Sequence, residues 1–144
     1  TLMPYRTDEL VLVVPTGHAL ARRKSVRLAD ALPFDFVGAH PGSAINNQLA
    51  QAASVAGLPL RLRIQVTSYD ALCLMVNAGL GVGVMPRGSA ALYQGTLHIR
   101  TITLNEPWAQ RRLALCVRSE ESLSSVARLL VDHLRSPSSP DTTP

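Results

Sequence analysis

Apolar and polar positions alternate along this chain in two rhythms, and the switches between them mark its elements. Period-two or wholly apolar runs suggest strands at residues 9–14, 34–39, 62–67, 82–85, 97–104 and 113–117. Between them the spacing turns helical. Ile45, Leu49, Ala52, Ala53 and Ala56 share one face of a helix over Ala44–Ala56, with Ser43 as its N-cap and Gly57 beyond its end. From Tyr69, the apolar residues Leu72, Met75 and Val76 recur at helical spacing until Gly79 falls where a left-handed cap is needed. A last helix over residues 120–135 carries Leu123, Val126, Ala127, Leu130, Val131 and Leu134 as its stripe, with Ser119 as its cap and acidic residues in its first turn.

This order of elements predicts an α/β fold with a mixed, mostly parallel sheet and helices on both faces. Residues 76–86, VNAGLGVGVMP, join a helix end, a glycine corner and a buried strand in one short stretch. Gly81 and Gly83 open one face of that strand to close backbone approach, while Val82, Val84 and Met85 pack and Pro86 closes it. Leu72, Met75 and Val76 on one helix, and Ile45 and Leu49 on another, are expected to be buried from opposite faces of a five-stranded sheet. From Ser136 the tail SPSSPDTTP has nothing apolar to bury and is expected to be disordered.

With 144 residues, 47% of them hydrophobic, the chain suffices for about one domain with its own core. No apolar run approaches the roughly 18 residues of a membrane span. The opening TLMPYRTDEL lacks the layout of a signal peptide, so a cytoplasmic protein without a membrane partner is expected. Cys73 and Cys116 sit among apolar neighbours without metal-ligand spacing and read as reduced core residues. A net charge of +4 raises the question of nucleic acid. The basic residues are scattered, however: Arg22, Arg23 and Lys24 in one loop, Arg61 and Arg63 along a strand, Arg111 and Arg112 before another. With two Phe, three Tyr and one Trp there is no stacking platform, so direct contact with nucleic acid is not expected.

Catalytic chemistry finds little support. The chain has no G-x-S-x-G elbow, H-E-x-x-H pair or phosphate-binding loop, and His18, His40, His98 and His133 are far apart in sequence. Asp30, Asp35, Asp70 and Asp132 show no paired spacing, so no enzyme, cofactor or metal is expected. Binding is better served. In open α/β sheets ligands gather at the carboxyl ends of strands, where helix N-termini present unpaired N–H groups. Two such corners are legible: His40-Pro41-Gly42-Ser43 and Thr67-Ser68-Tyr69-Asp70, each between a strand and a helix. Their small hydroxyls and backbone donors suit a carboxylate or similar anion, and Ser43 and Ser68 read equally as plain N-caps. Arg87, after the strand at Pro86, is a further residue that reaches for an anion or is solvated, and Trp108 reads as a hinge or interface anchor.

The stretch VNAGLGVGVMP resembles the V-x-A-G-x-G-[IV]-x-[ILV]-[LMV]-P string of the effector-binding domain of LysR-type transcriptional regulators. Residues 10–21, LVLVVPTGHALA, are similar to that family's LVLVVP-x-x-HPLA strand, and Val26, Leu28 and Leu32 follow like its V-x-L-x-D-L helix. Ala19 stands where the family usually has proline, which leaves the turn less rigid. The resemblance runs from about Asp8 to Val117. It implies a type II periplasmic-binding-protein-like fold of two lobes, with residues 8–104 as the second lobe. Residues 1–7 are then a crossover from an incomplete first lobe, residues 105–135 a return crossover with the last strand and helix of that lobe, and residues 136–144 a tail. It implies a small-molecule sensor, with the effector, anionic by the chemistry of the corners, held by His40, Ser43, Thr67, Ser68 and Tyr69. Gly79 and Gly81 carry over as structural. It also implies a homodimer or higher oligomer in contact through helices 44–56 and 120–135, with DNA bound only by an N-terminal domain that nothing in this chain matches. The alternative is a fragment of an extracytoplasmic solute-binding protein of the same fold; a third reading is an α/β enzyme whose nucleophile and base meet only on folding.

Overall fold

The computed structural model describes residues 1–136, so the expectation for residues 137–144 of the tail lies outside the described residues. Two compact units divide the chain: Asp8–Arg111, and Thr1–Thr7 with Arg112–Pro144.

In the larger unit the end of β1 (Leu2–Pro15) lies between β5 (Gly83–Pro86) and β6 (Ile99–Leu104), antiparallel to both, so that Leu12 faces Val84 on one side and Ile102 on the other. The short β2 (Ser25–Val26) runs parallel to β6. On the other side β3 (Phe36–Gly38) pairs in parallel with β4 (Leu62–Gln65) and meets the strand edge at a Phe36–Val82 bridge. There the Val37 N–H donates to the Val82 carbonyl at 2.8 Å and the Val82 N–H to that of Asp35 at 2.9 Å. The five expected strands therefore stand in the order β4-β3-β5-β1-β6. The sheet is mixed, as expected. Helices α2 (Ala44–Ala56) and α3 (Tyr69–Asn77) are crossovers that keep β3, β4 and β5 parallel. The long β1 has no such connection to its neighbours and opposes them.

Both faces of this sheet are covered, which is why Leu10 to Val14 are buried without a break. Alternation sends Leu10, Leu12 and Val14 to one core with Phe36, Ile102 and the α2 residues Ile45, Leu49 and Ala53. Val11 and Val13 go to the other, with Met85 and the α3 residues Leu72, Cys73 and Val76. Met75 is half-buried rather than buried, because Leu72, Cys73 and Val76 centre the inward face and Met75 falls on its flank. Ala56, on the expected face of α2 but in its last turn, is exposed. Gly79 takes up φ +80° after α3, the left-handed conformation expected of it. At Gly81 a Cβ would lie 2.7 Å from the Asp35 carbonyl oxygen, so the close approach of β3 requires glycine there. The chain continues through α1 (Leu28–Ala31) and α4 (Arg87–Ala91), and a 3-10 turn at Pro107–Ala109 seats Trp108 half-buried against the first core.

In the smaller unit β7 (Gln110–Cys116) pairs with β1, and Thr1 and Val117 exchange both backbone hydrogen bonds, at 2.7 and 3.0 Å. This partner explains why β1 reaches back to Leu2 through polar residues whose pattern suggests no strand. Cys116 is exposed and not in a core: β7 alternates, and its even-numbered residues face outward. Helix α5 (Ser125–Arg135) starts later than expected and is capped by Ser124, whose Oγ accepts from the Ala127 N–H at 3.1 Å. Ser119 does not cap it; its carbonyl accepts from the Ser122 hydroxyl at 3.0 Å, a local turn that competes with helix. Among the described residues no helix is long and apolar enough to cross a membrane.

Candidate functional site

A cavity of about 510 Å³ opens at the ends of β3 and β4, lined by Ala39, His40, Gly42, Ser43, Ala44, Ile45, Thr67, Ser68, Tyr69, Leu72 and Arg111. All five expected site residues are among them, brought together from two corners of the chain. His40, Thr67 and Ser68 are exposed, Ser43 and Tyr69 half-buried, and buried Ile45 and Leu72 supply apolar wall.

Each corner is built by its helix start. Ser43 Oγ accepts from the Asn46 N–H at 3.2 Å and Ser68 Oγ from the Ala71 N–H at 3.1 Å, so both serines are N-caps. Capping uses each oxygen as an acceptor and leaves the hydroxyl's own O–H to donate. The first turns of α2 and α3 also leave backbone N–H groups without helical partners, at the positive ends of the helix dipoles. The cavity is thus a place of donors, suited to an acceptor or an anion.

Asn46, a buried polar residue beside the first core, fixes the first corner. Its Oδ1 accepts from the Ala39 N–H at 3.2 Å, and its Nδ2 donates to the Ala39 carbonyl at 2.7 Å and the His40 carbonyl at 3.3 Å. A lone Asn one position off an apolar stripe gave no signal of this. Gly42, at φ +79°, closes the turn before Ser43.

The other residue that sequence reasoning missed is Arg111, the one formally charged side chain lining the cavity among the described residues. It is half-buried and paired with Asp8: Nε donates to Oδ1 at 2.7 Å and Nη2 to Oδ2 at 2.5 Å. The Asp8 hydrogen bond raises the Arg111 pKa further, so the guanidinium stays cationic. Arg87, by contrast, is neither in the cavity nor free in solvent. It donates to both Glu9 carboxylate oxygens, at 2.9 and 3.3 Å, and to Thr103 Oγ1 at 2.9 Å. Arg61 lies 2.9 Å and Arg63 3.7 Å from the Asp35 carboxylate. Among the described residues no three His, Cys, Asp or Glu side chains are grouped to hold a metal ion.

The fold and cavity define a two-faced α/β lobe with a donor-rich pocket at its strand ends. Residues 2–137 match the family model for the LysR substrate binding domain, and the chain belongs to that family. It is 26% identical over 142 residues to a probable RuBisCO transcriptional regulator of Cyanophora paradoxa, covering 93% of this chain and 42% of the relative. It is also 26% identical over 129 residues to the HTH-type transcriptional regulator YwbI of Bacillus subtilis, covering 90% and 42%. The chain thus spans about two-fifths of the length of these relatives. In fold it is similar to the regulatory domain of Synechocystis PCC6803 CcmR in complex with 2-PG, with a TM-score of 0.80 and 18% identity over 94% of this chain and 65% of that one. The effector binding domain of QuiR in complex with shikimate gives a TM-score of 0.76 and 20% identity, covering 94% and 63%.

Proposed function

We propose that this chain is the small-molecule sensing part of a LysR-type transcriptional regulator, and that an anionic effector docks between the corners His40 to Ser43 and Thr67 to Tyr69. The observation that carries this reading is the convergence of two capped helix starts, from separate parts of the chain, on one cavity. The effector is held by helix N-terminal N–H groups and by the Ser43, Thr67 and Ser68 hydroxyls, with His40 at the rim and Tyr69 as a wall. The ligands named for the two similar structures, shikimate and 2-PG, support a small polar effector. The chain works without catalysis or cofactor, in the cytoplasm. Occupancy is passed to a DNA-binding domain in another part of the regulator by a shift among pre-existing arrangements of its protomers. Exposed Val126, Leu129 and Leu130 on α5 and Val55 on α2 support assembly of two or more copies.

The test is calorimetric titration of the full-length regulator with shikimate as first probe, against Ser43→Ala, Thr67→Ala and Ser68→Ala. A lost hydrogen bond to a charged group is worth about 1.5 to 3 kcal/mol, a roughly tenfold or greater weakening. Binding unchanged in all three folded variants places the effector elsewhere.

A further inference from the structure

Arg111 lines a cavity whose other polar groups are neutral, and its partner Asp8 is not among the lining residues. Asp8 engages two of the five guanidinium N–H groups, those on Nε and one on Nη2. The remaining N–H groups, on Nη1 and Nη2, have no acceptor among the described residues, although the side chain is only 28% exposed. A guanidinium held along one edge keeps the fork of its other edge in a set orientation, so little side-chain entropy is lost when a second planar anion binds there.

We infer that Arg111 is the charge-selecting residue of this cavity, receiving a single carboxylate or similar monoanion on the edge that Asp8 leaves free. Asp8 has two effects. It orients the guanidinium, and its own charge cancels that of Arg111, so the formal charge of the pair is zero. The positive potential left for a ligand is then the partial charge of the two helix starts, about half an elementary charge each. One negative charge is matched by this arrangement. A second would meet no further cation in the lining and would be repelled by the Asp8 carboxylate behind the guanidinium, in a partly dehydrated site where like charges repel more strongly than in water. The cavity is therefore selective for monoanions over dianions. This inference rests on the proposed reading of the cavity as an anion site.

The test is a nuclear magnetic resonance titration of the chain with acetate, with neutral acetamide and, at about pH 8 where it is chiefly a dianion, with inorganic phosphate. Acetate is expected to shift the Arg111 Nε–H and the Ala44 and Tyr69 amides, and acetamide is not. Arg111→Gln is expected to weaken acetate at least tenfold, Arg111→Lys to lie between the two because it keeps the charge and loses the fork, and Arg112→Gln to change nothing. Asp8→Asn is expected to raise phosphate binding relative to acetate about tenfold. If Arg111→Gln does not fold, Arg111→Lys and the Nε–H shift of the parent chain decide the matter. Acetate binding to Arg111→Gln or Arg111→Lys as to the parent, with the Ala44 and Tyr69 shifts retained, overturns the role of Arg111 and leaves the anion cavity standing. Acetate that moves neither amide in the parent overturns both. An acetate-to-phosphate preference unchanged by Asp8→Asn overturns the charge selection.

Discussion

Helices α2 and α5 carry apolar stripes of the same kind, yet the two units treat them differently. In the larger unit α2 buries Ile45, Leu49 and Ala53 against a sheet that is covered on its other face by α3. In the smaller unit no α5 residue is fully buried, and Val126, Leu129 and Leu130 are 76%, 71% and 58% exposed. The strands differ in the same way. Leu10 to Val14 of β1 are buried in succession, whereas β7 alternates between exposed and half-buried, and Met3 is the one fully buried hydrophobic among the described residues of its unit. An amphipathic pattern thus states which face an element offers. How deeply that face is buried depends on how many layers stand over it.

The largest test of this contrast is truncation in each unit. Phe36, fully buried in the first core, is expected to cost about 3 to 5 kcal/mol on replacement by Ala. With the chain monomeric, Leu130→Ala is expected to stay within about 0.5 kcal/mol, as for surface positions. Urea unfolding followed by Trp108 fluorescence and by circular dichroism measures both, and equal losses would erase the difference between the units.

The two cysteines sharpen the same comparison chemically, since each unit holds one. Burial, and after it the Asp70 carboxylate, push the Cys73 thiol up to about 11, while Cys116 is exposed. The thiolate is the nucleophile, so iodoacetamide is expected to label Cys116 at least about a hundredfold faster than Cys73 in the folded chain. Comparable rates would show that the second core opens readily.

The smallest effect concerns pH within the larger unit. His18 packs edge-on against Phe34 with ring centroids 4.4 Å apart, and its Nδ1 accepts from the Leu20 N–H at 3.1 Å. Burial lowers its pKa from the ordinary 6.5, so the unfolded chain takes up the proton first. Stability is therefore full above pH 6.5 and falls as the pH drops below it, with a slope from this one group of at most about 1.4 kcal/mol per pH unit. His18→Gln is expected to flatten that part of a urea-midpoint profile; an unchanged profile assigns the acid sensitivity to other groups.

Much of this was legible before folding because it is local. The bounds of α2 with Ser43 and Gly57, the left-handed Gly79 and the two strand–helix corners each depend on a few neighbouring residues. What was missed depends on distant partners. Met75 was expected in the core because a stripe does not reveal its centre, and Cys116 because an apolar run does not reveal whether both faces are covered. Ser119 reads as the cap of α5 in the sequence, and only the turn made by Ser119 and Ser122 moves the start to Ser124.

The sequence by itself determined the α/β class, the main strands and helices of the larger unit and the two strand–helix corners that line the cavity, since periodicity, caps and glycine conformations are encoded within a turn or two of the chain. The assignment of the five site residues rested on the family resemblance. Tertiary structure alone decided that Asn46 holds the first corner, that Arg87 is engaged by Glu9, and that Arg111 reaches the cavity beside Asp8. Asp8 and Arg111 are 103 positions apart. Pairing across such a separation follows from strand register and direction, which no local pattern of residues specifies.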